Sequence, residues 1–271
     1  MNTELLYNPL VETIWYKETE KCLLRLLVVR PMTDNTTSPA VVWIHGGGWQ
    51  SDVPERCLPQ IAYFAVHGAV GISVEYRLAN TNGTTVYNCV EDCIDAITYL
   101  HENASKLGID AERITLCGDS AGGHLALCAG SPMITRSERS LVAGIVDCNG
   151  IVDLTMKWRT ILPKNEQTLS SDTAKWLERY NRICSISPIY NVCPNNPPTL
   201  ILHGLADIVV EPEEAARYYR ELQRAGVDAE LRMLPGMPHA FILFDYAVKN
   251  ETVLGILEEI RTFLAVHGLL D

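Results

Sequence analysis

No run of apolar residues in this 271-residue chain approaches the roughly 20 that a bilayer-spanning helix needs. The first residues, Met1-Asn2-Thr3-Glu4-Leu5-Leu6, carry no basic segment followed by an apolar one. No secretory leader is therefore expected, and the protein reads as cytoplasmic. Cations are scarce: 22 Lys and Arg stand against 33 Asp and Glu, a net charge of -11. That balance argues against nucleic acid and anionic membranes as partners, because both select a basic face. Disulfide spacing is missing as well. The nine cysteines, an odd number, are scattered through expected strands and helices, as suits small buried hydrophobes in a reducing compartment. Cys89 and Cys93 lie four apart, but no second Cys or His pair at zinc spacing joins them, so core packing is expected and no metal site. Internal repeats and low-complexity segments are absent too.

What is present is a chain long enough, at 47% hydrophobic content, for one large domain with a sizeable core. Two β-rich runs, Thr13 to Tyr16 and Leu23 to Val29, flank a charged turn and predict an antiparallel opening hairpin. Short continuous apolar runs follow at Val41 to Ile44, Val70 to Val74, Ile114 to Cys117, Leu141 to Val146 and Thr199 to Leu202. Such runs suit strands buried on both faces of a parallel sheet, and Ala229 to Leu234 reads as the last strand. Between them lie helical patterns, around Cys57 to His67, from Val86 to about Ser105, after Pro212 and from Leu254 to Leu264. The alternation predicts an α/β fold with a mostly parallel sheet and helices on both faces. From Val152 to Tyr190 no strand period is visible, and this stretch is expected to be an inserted cap or lid.

The chemistry gathers at strand ends. Gly118-Asp119-Ser120-Ala121-Gly122 lies between a β-branched run and a helical pattern, as a nucleophile elbow requires: the small flanking residues permit a tight turn that lifts the Ser120 hydroxyl above the sheet. Abstracting a serine proton near neutral pH calls for histidine. Of seven histidines, His239 lies in a loop directly after the last expected strand, at the edge where α/β sheets place their sites. His67, His101 and His267 read as helix-end residues, and His124 and His203 as local packing or hydrogen-bonding groups. The acid that orients the base should follow a strand and precede the histidine; Asp207 does both, with Glu211 in reserve. Asp119 is read as structural. In His45-Gly46-Gly47-Gly48, glycines after a buried strand permit positive φ and expose N–H groups, as an oxyanion hole needs. Gly47 and Gly48, with Ala121, are the expected donors; no Gly-Lys-Ser/Thr ends the loop, which disfavours a phosphate cradle.

Taken together, His45 to Trp49, Glu75-Tyr76-Arg77-Leu78, Gly118 to Leu125, His203-Gly204-Leu205-Ala206-Asp207 and Pro238-His239-Ala240-Phe241 resemble the α/β-hydrolase superfamily. The likeness is to hormone-sensitive-lipase-like esterases and to carbohydrate esterases of the acetylxylan and feruloyl esterase kind. It extends over nearly the whole chain from about residue 38. Members of the first group usually carry a substantial helical cap before the glycine motif; here the motif arrives at residue 45 with room only for a hairpin. The compact carbohydrate-esterase branch fits better, and long-chain lipid substrates fit less well.

The resemblance implies hydrolysis of short acyl esters, acetyl above all, on a plant-derived carbohydrate, through Ser120, His239 and Asp207 and without cofactor. Trp49, Trp158 and Trp176 are candidate substrate contacts, Trp49 stacking on a sugar, covering the acyl pocket or simply packing. The expected partner is a small-molecule or oligosaccharide ester, and an oligomer is permitted. Two rivals remain open: an amide hydrolase, kynurenine-formamidase-like or peptidase-like, and a non-catalytic small-molecule receptor on the same fold.

Overall fold

A computed structural model describes residues 9–33, 35–81, 83–155 and 173–271. Its eight strands form one sheet in the order β1-β2-β4-β3-β5-β6-β7-β8. The strands are β1 (Val11–Glu18), β2 (Leu23–Val29), β3 (Ser38–Ile44), β4 (Val70–Val74), β5 (Ile109–Asp119), β6 (Gly144–Cys148), β7 (Thr199–Gly204) and β8 (Ala229–Leu234). The opening hairpin pairs antiparallel, as its charged turn predicts, and β2 continues antiparallel onto β4. From β4 to β8 every pairing is parallel. The helices are α1 (Leu58–Val66), α2 (Val86–Glu102), α3 (Ala104–Leu107), α4 (Ala121–Gly130), α5 (Pro132–Thr135), α6 (Thr173–Ser185), α7 (Pro212–Arg224) and α8 (Asn250–Val266).

The continuous apolar runs are central strands because both of their faces are covered. In β3, Val42 and Ile44 face a core shared with α2, α4 and α7, while Val41 and Trp43 face a second core shared with α1 and α8. Each such side chain contributes about 1.5–3 kcal/mol on burial, which sets the strand's facing without any alternation in its sequence. Two expected boundaries move. The run from Leu141 enters the ladder only at Gly144 and continues to Cys148; Ala143 still donates to the Ile114 carbonyl at 2.8 Å, and Val142 is buried, so hydrophobicity begins before the strand does. Strand β5 begins at Ile109, five residues before Ile114, beyond an irregularity in its pairing with β3.

The expected insertion at 152–190 contains α6 and a 3-10 turn at Pro188–Tyr190, whereas residues 156–172, including Trp158, lie outside the described residues. The Arg182 guanidinium of α6 stands 5.0 Å over the Tyr87 ring of α2. One buried ion cluster fixes the carboxyl edge near the site: fully buried Asp92 takes Lys17 at 2.7 Å from β1 and Arg77 at 2.6 Å from the loop after β4. All nine cysteines are free, and Cys57, Cys89, Cys93, Cys117, Cys128 and Cys148 are buried. No described helix is long and apolar enough to cross a membrane.

Candidate active site

Ser120 joins β5 to α4 through an abrupt turn. Its φ is 54° and ψ is -120°, a conformation that L residues rarely adopt. The turn is held from both sides, by the Ser120 amide donating to the Cys148 carbonyl at 3.0 Å and the Ser120 carbonyl accepting from His124 N at 3.1 Å. Close backbone packing makes it possible: a Cβ on Gly122 would stand 2.0 Å from the Ile44 carbonyl oxygen, and one on Gly118 would stand 2.3 Å from that of Gly122. A side chain on Gly122 would force the elbow away from β3, and one on Gly118 would force β5 and α4 apart.

The Ser120 hydroxyl lies 2.9 Å from His239 Nε2, and His239 Nδ1 lies 2.7 Å from Asp207 Oδ2. Facing a carboxylate, Nδ1 carries the hydrogen, which leaves Nε2 as the acceptor for the serine proton. The other oxygen of Asp207 is occupied: Oδ1 accepts from the amides of Val209 at 2.8 Å and Val210 at 3.0 Å. The loops carrying acid and base are tied together, with Leu205 N donating to Leu234 O and Ala206 N to Met237 O. Behind them, buried His203 is held neutral because burial lowers its pKa, and Nε2–H donates to the Val210 carbonyl at 2.9 Å. Glu211, the reserve acid, stands at the N-cap of α7 instead.

The glycine loop closes the other side. Gly47 and Gly48 have φ of 95° and 59°. The Gly47 carbonyl turns back to accept from Gln50 N and Ser51 N, each at 3.1 Å, so the loop curls on itself. Ala121 is the first residue of α4, whose leading N–H groups have no intrahelical acceptor. Among the described residues, none of these three amides is spent on a protein acceptor, whereas the amide of Ser120 is. Such a grouping can receive a developing oxyanion beside an activated hydroxyl.

Of the aromatic candidates, Trp49 takes its packing alternative. Trp49 is buried, and its indole N–H donates to His124 Nδ1 at 3.1 Å, with the two rings edge to face. A core acceptor holds it, so no face is left for a sugar. Trp176 stacks on Tyr180 of its own helix at 5.2 Å and is half exposed. Tyr76 has a supporting role that its sequence did not reveal: its ring stacks on His45 at 4.4 Å, and its hydroxyl lies 3.0 Å from the carbonyls of both His45 and Gly46. A tyrosine closing an apolar strand was the available signal, since a buried phenol must find a partner. No described group of three or more His, Cys, Asp or Glu side chains is placed to hold a metal ion.

A parallel sheet with a serine elbow after β5, an acid after β7 and a histidine after β8 has the architecture of the α/β hydrolases. The chain belongs to the BD-FAE family, whose profile matches residues 26–222. It is similar to the ethyl acetate hydrolase of Pseudomonas putida, 26% identical over 257 residues, covering 89% of this chain and 79% of that one. Carboxylesterase NlhH of Mycobacterium tuberculosis is 28% identical over 235 residues, covering 78% of this chain and 68% of the relative. Among solved structures, the propionate-bound thermophilic esterase of the planctomycete Thermogutta terrifontis superposes with a TM-score of 0.82 at 29% identity, covering 96% of each chain. The protein is an α/β-hydrolase esterase.

Proposed function

We propose that this esterase cleaves short-chain carboxylic esters, acetyl esters above all, through an acyl-enzyme on Ser120, with carbohydrate as the alcohol half. The observation that carries the reading is the unbroken chain from Ser120 Oγ to His239 at 2.9 Å and from His239 to Asp207 at 2.7 Å. As Ser120 Oγ attacks the acyl carbon, its proton passes to His239 Nε2, and Asp207 stabilises the imidazolium that forms. The carbonyl oxygen becomes an oxyanion against the amides of Gly47, Gly48 and Ala121; losing one such donor typically costs about 2.7–4 kcal/mol. Collapse breaks the bond to the alcohol oxygen, which takes the proton from Nε2. Water then gives a proton to Nε2 as it attacks the acyl carbon, and the proton returns to Ser120 Oγ as the acid leaves.

Acyl length is argued from the relatives: one is named for ethyl acetate, and the Thermogutta terrifontis enzyme is described with propionate and with butyrate bound. A polar alcohol is favoured by a cleft of about 480 Å³ on the same sheet edge, with Thr81, Thr84 and Asn88 in its wall. Its wall also includes Tyr76, whose hydroxyl lies 3.0 Å from the carbonyls of His45 and Gly46.

The test is a series of p-nitrophenyl esters from acetate to octanoate, run beside acetylated xylo-oligosaccharides and matched p-nitroanilides. Turnover highest for acetate to butyrate, with acetate released from the oligosaccharides, is expected. A preference for octanoate or for the anilides would overturn the reading. A fluorophosphonate should label the native protein and fail to label Ser120→Ala.

A further inference from the structure

The ester-hydrolase chemistry above makes no use of Asp119, a buried carboxyl adjoining the nucleophile. Its neighbours are unusual for a group read as inert. Ile44 pairs with Gly118 across β3 and β5, so the next residue, Asp119, comes opposite the start of the glycine loop. A Cβ on Gly46 would stand 2.6 Å from Asp119 Oδ2 and 2.9 Å from the Asp119 carbonyl oxygen, so carboxyl and loop are in direct apposition. The nearby Gly46 N–H favours the charged form of the carboxyl. On the other side, Asp119 Oδ1 and the indole Nε1 of Trp43 face each other without closing a hydrogen bond.

The peptide at 45–46 is thus gripped twice. The Tyr76 hydroxyl lies 3.0 Å from the two carbonyls, and the Asp119 carboxyl packs against Gly46. The next residue, Gly47, is the first expected oxyanion donor. We propose that Asp119 is a positioning residue for the oxyanion loop: by holding Gly46 against the nucleophile strand, it fixes the distance between Ser120 and the amides of Gly47 and Gly48. The inference rests on the ester-hydrolase reading of Ser120 and adds a residue to it. A misplacement of about 1 Å in such a constellation costs on the order of 10²-fold in rate.

The grip changes charge within the working pH range. Burial pushes the Asp119 carboxyl up to about 7, with Asp52 adding to the rise, while the Trp43 indole, the Gly46 N–H and Arg56 oppose it. Cys57, Tyr76 and Cys148 are the other titratable groups around it, and burial raises all three thiol and phenol pKa values, which keeps them neutral. Above about 7, the carboxylate holds the Gly46 amide by a charge-assisted contact; below, the neutral acid holds it more weakly.

Two substitutions test this against the native enzyme on p-nitrophenyl acetate. Asp119→Asn keeps an acceptor oxygen without the ionisation. It should retain kcat within about tenfold at pH 8, and the acid limb of its kcat profile should lose one proton's steepness. Asp119→Ala should lower kcat on the order of 10²–10³-fold, the cost typical of a lost oxyanion donor, with little change in KM. A purely structural role would lower the melting temperature of both variants and leave the acid limb unchanged. Native kcat in Asp119→Ala, or an acid limb in Asp119→Asn that matches the native one, overturns the proposal. If Asp119→Ala does not fold, the acid limb of Asp119→Asn decides alone. Absence of esterase activity in the native protein would instead refute the underlying assignment of Ser120.

Discussion

Asp207→Asn is the substitution whose outcome the site geometry specifies most tightly. The two oxygens of Asp207 have different tasks: Oδ1 accepts from Val209 N at 2.8 Å and Val210 N at 3.0 Å, and Oδ2 accepts from His239 Nδ1 at 2.7 Å. An asparagine amide has one oxygen and one NH2 to distribute over these positions. If the oxygen faces His239, both backbone amides meet a donor. Leaving the buried Val210 N–H unpaired costs about 1–3 kcal/mol, and Val209 N–H loses its carboxylate acceptor as well. The oxygen therefore stays on the valine amides and the NH2 group points at His239. Nδ1 must then accept, the hydrogen moves to Nε2, and the ring can no longer take the proton of Ser120. The expected result is a loss on the order of 10⁴ in kcat, about 5.4 kcal/mol at 1.36 kcal/mol per tenfold, with the fold intact and KM changed only a few-fold. Steady-state hydrolysis of p-nitrophenyl acetate reads this directly. Retention of more than about one-tenth of native kcat would refute the argument, because it would mean that the anchored amide does not dictate the histidine tautomer.

Other perturbations separate packing from chemistry. Trp49→Phe removes the donor to His124 Nδ1, whose other nitrogen is committed to the Ile186 carbonyl at 2.7 Å. The orphaned acceptor should cost about 1–3 kcal/mol, seen as a lower melting temperature, while KM for acetylated oligosaccharides stays unchanged; a raised KM at native stability would return Trp49 to substrate binding. Asp147 sits fully buried at the end of β6, where burial pushes its carboxyl up to about 7 although Gly150 N donates to it at 2.9 Å. Its folded pKa lies above the usual carboxylate value of about 3.9, so between about 4 and 7 the folded state binds the proton more tightly. Stability from this group is complete below about 4 and lost as pH rises through 7, by at most about 1.4 kcal/mol per pH unit. Urea midpoints between pH 5 and 8 should therefore fall less steeply for Asp147→Asn than for the native chain, and an unchanged slope would contradict the assignment.

The sheet and the edge where Ser120, His239 and Asp207 meet were legible because each rested on a local pattern with a physical cause. Val41 to Ile44 and Val70 to Val74 read as central strands because only a doubly covered strand tolerates an uninterrupted apolar run. His239 and Asp207 were found by their position after such runs. Trp49 was harder to read, since an indole beside a glycine loop can turn to solvent or to core, and the deciding partner, His124, is 75 residues away. The start of β6 was misplaced because burial of Val142 extends the hydrophobic signal beyond the hydrogen-bonded ladder. Asp119 gave no sign, because its meaning depends on which glycine faces it across two strands.

The backbone crossing at the elbow has a consequence for how such a protein can change. Where Gly118, Gly122 and Gly46 meet the carbonyls and carboxyl of neighbouring segments, contact is already made with no side chain at all. Single substitutions at these positions can only add atoms, and the nearest atoms they meet are backbone of α4, of β3 with its following loop, or of β5, with the Asp119 carboxyl as well at Gly46. No graded series of small adjustments is open there, so change must come from other positions, around a centre that admits no intermediates.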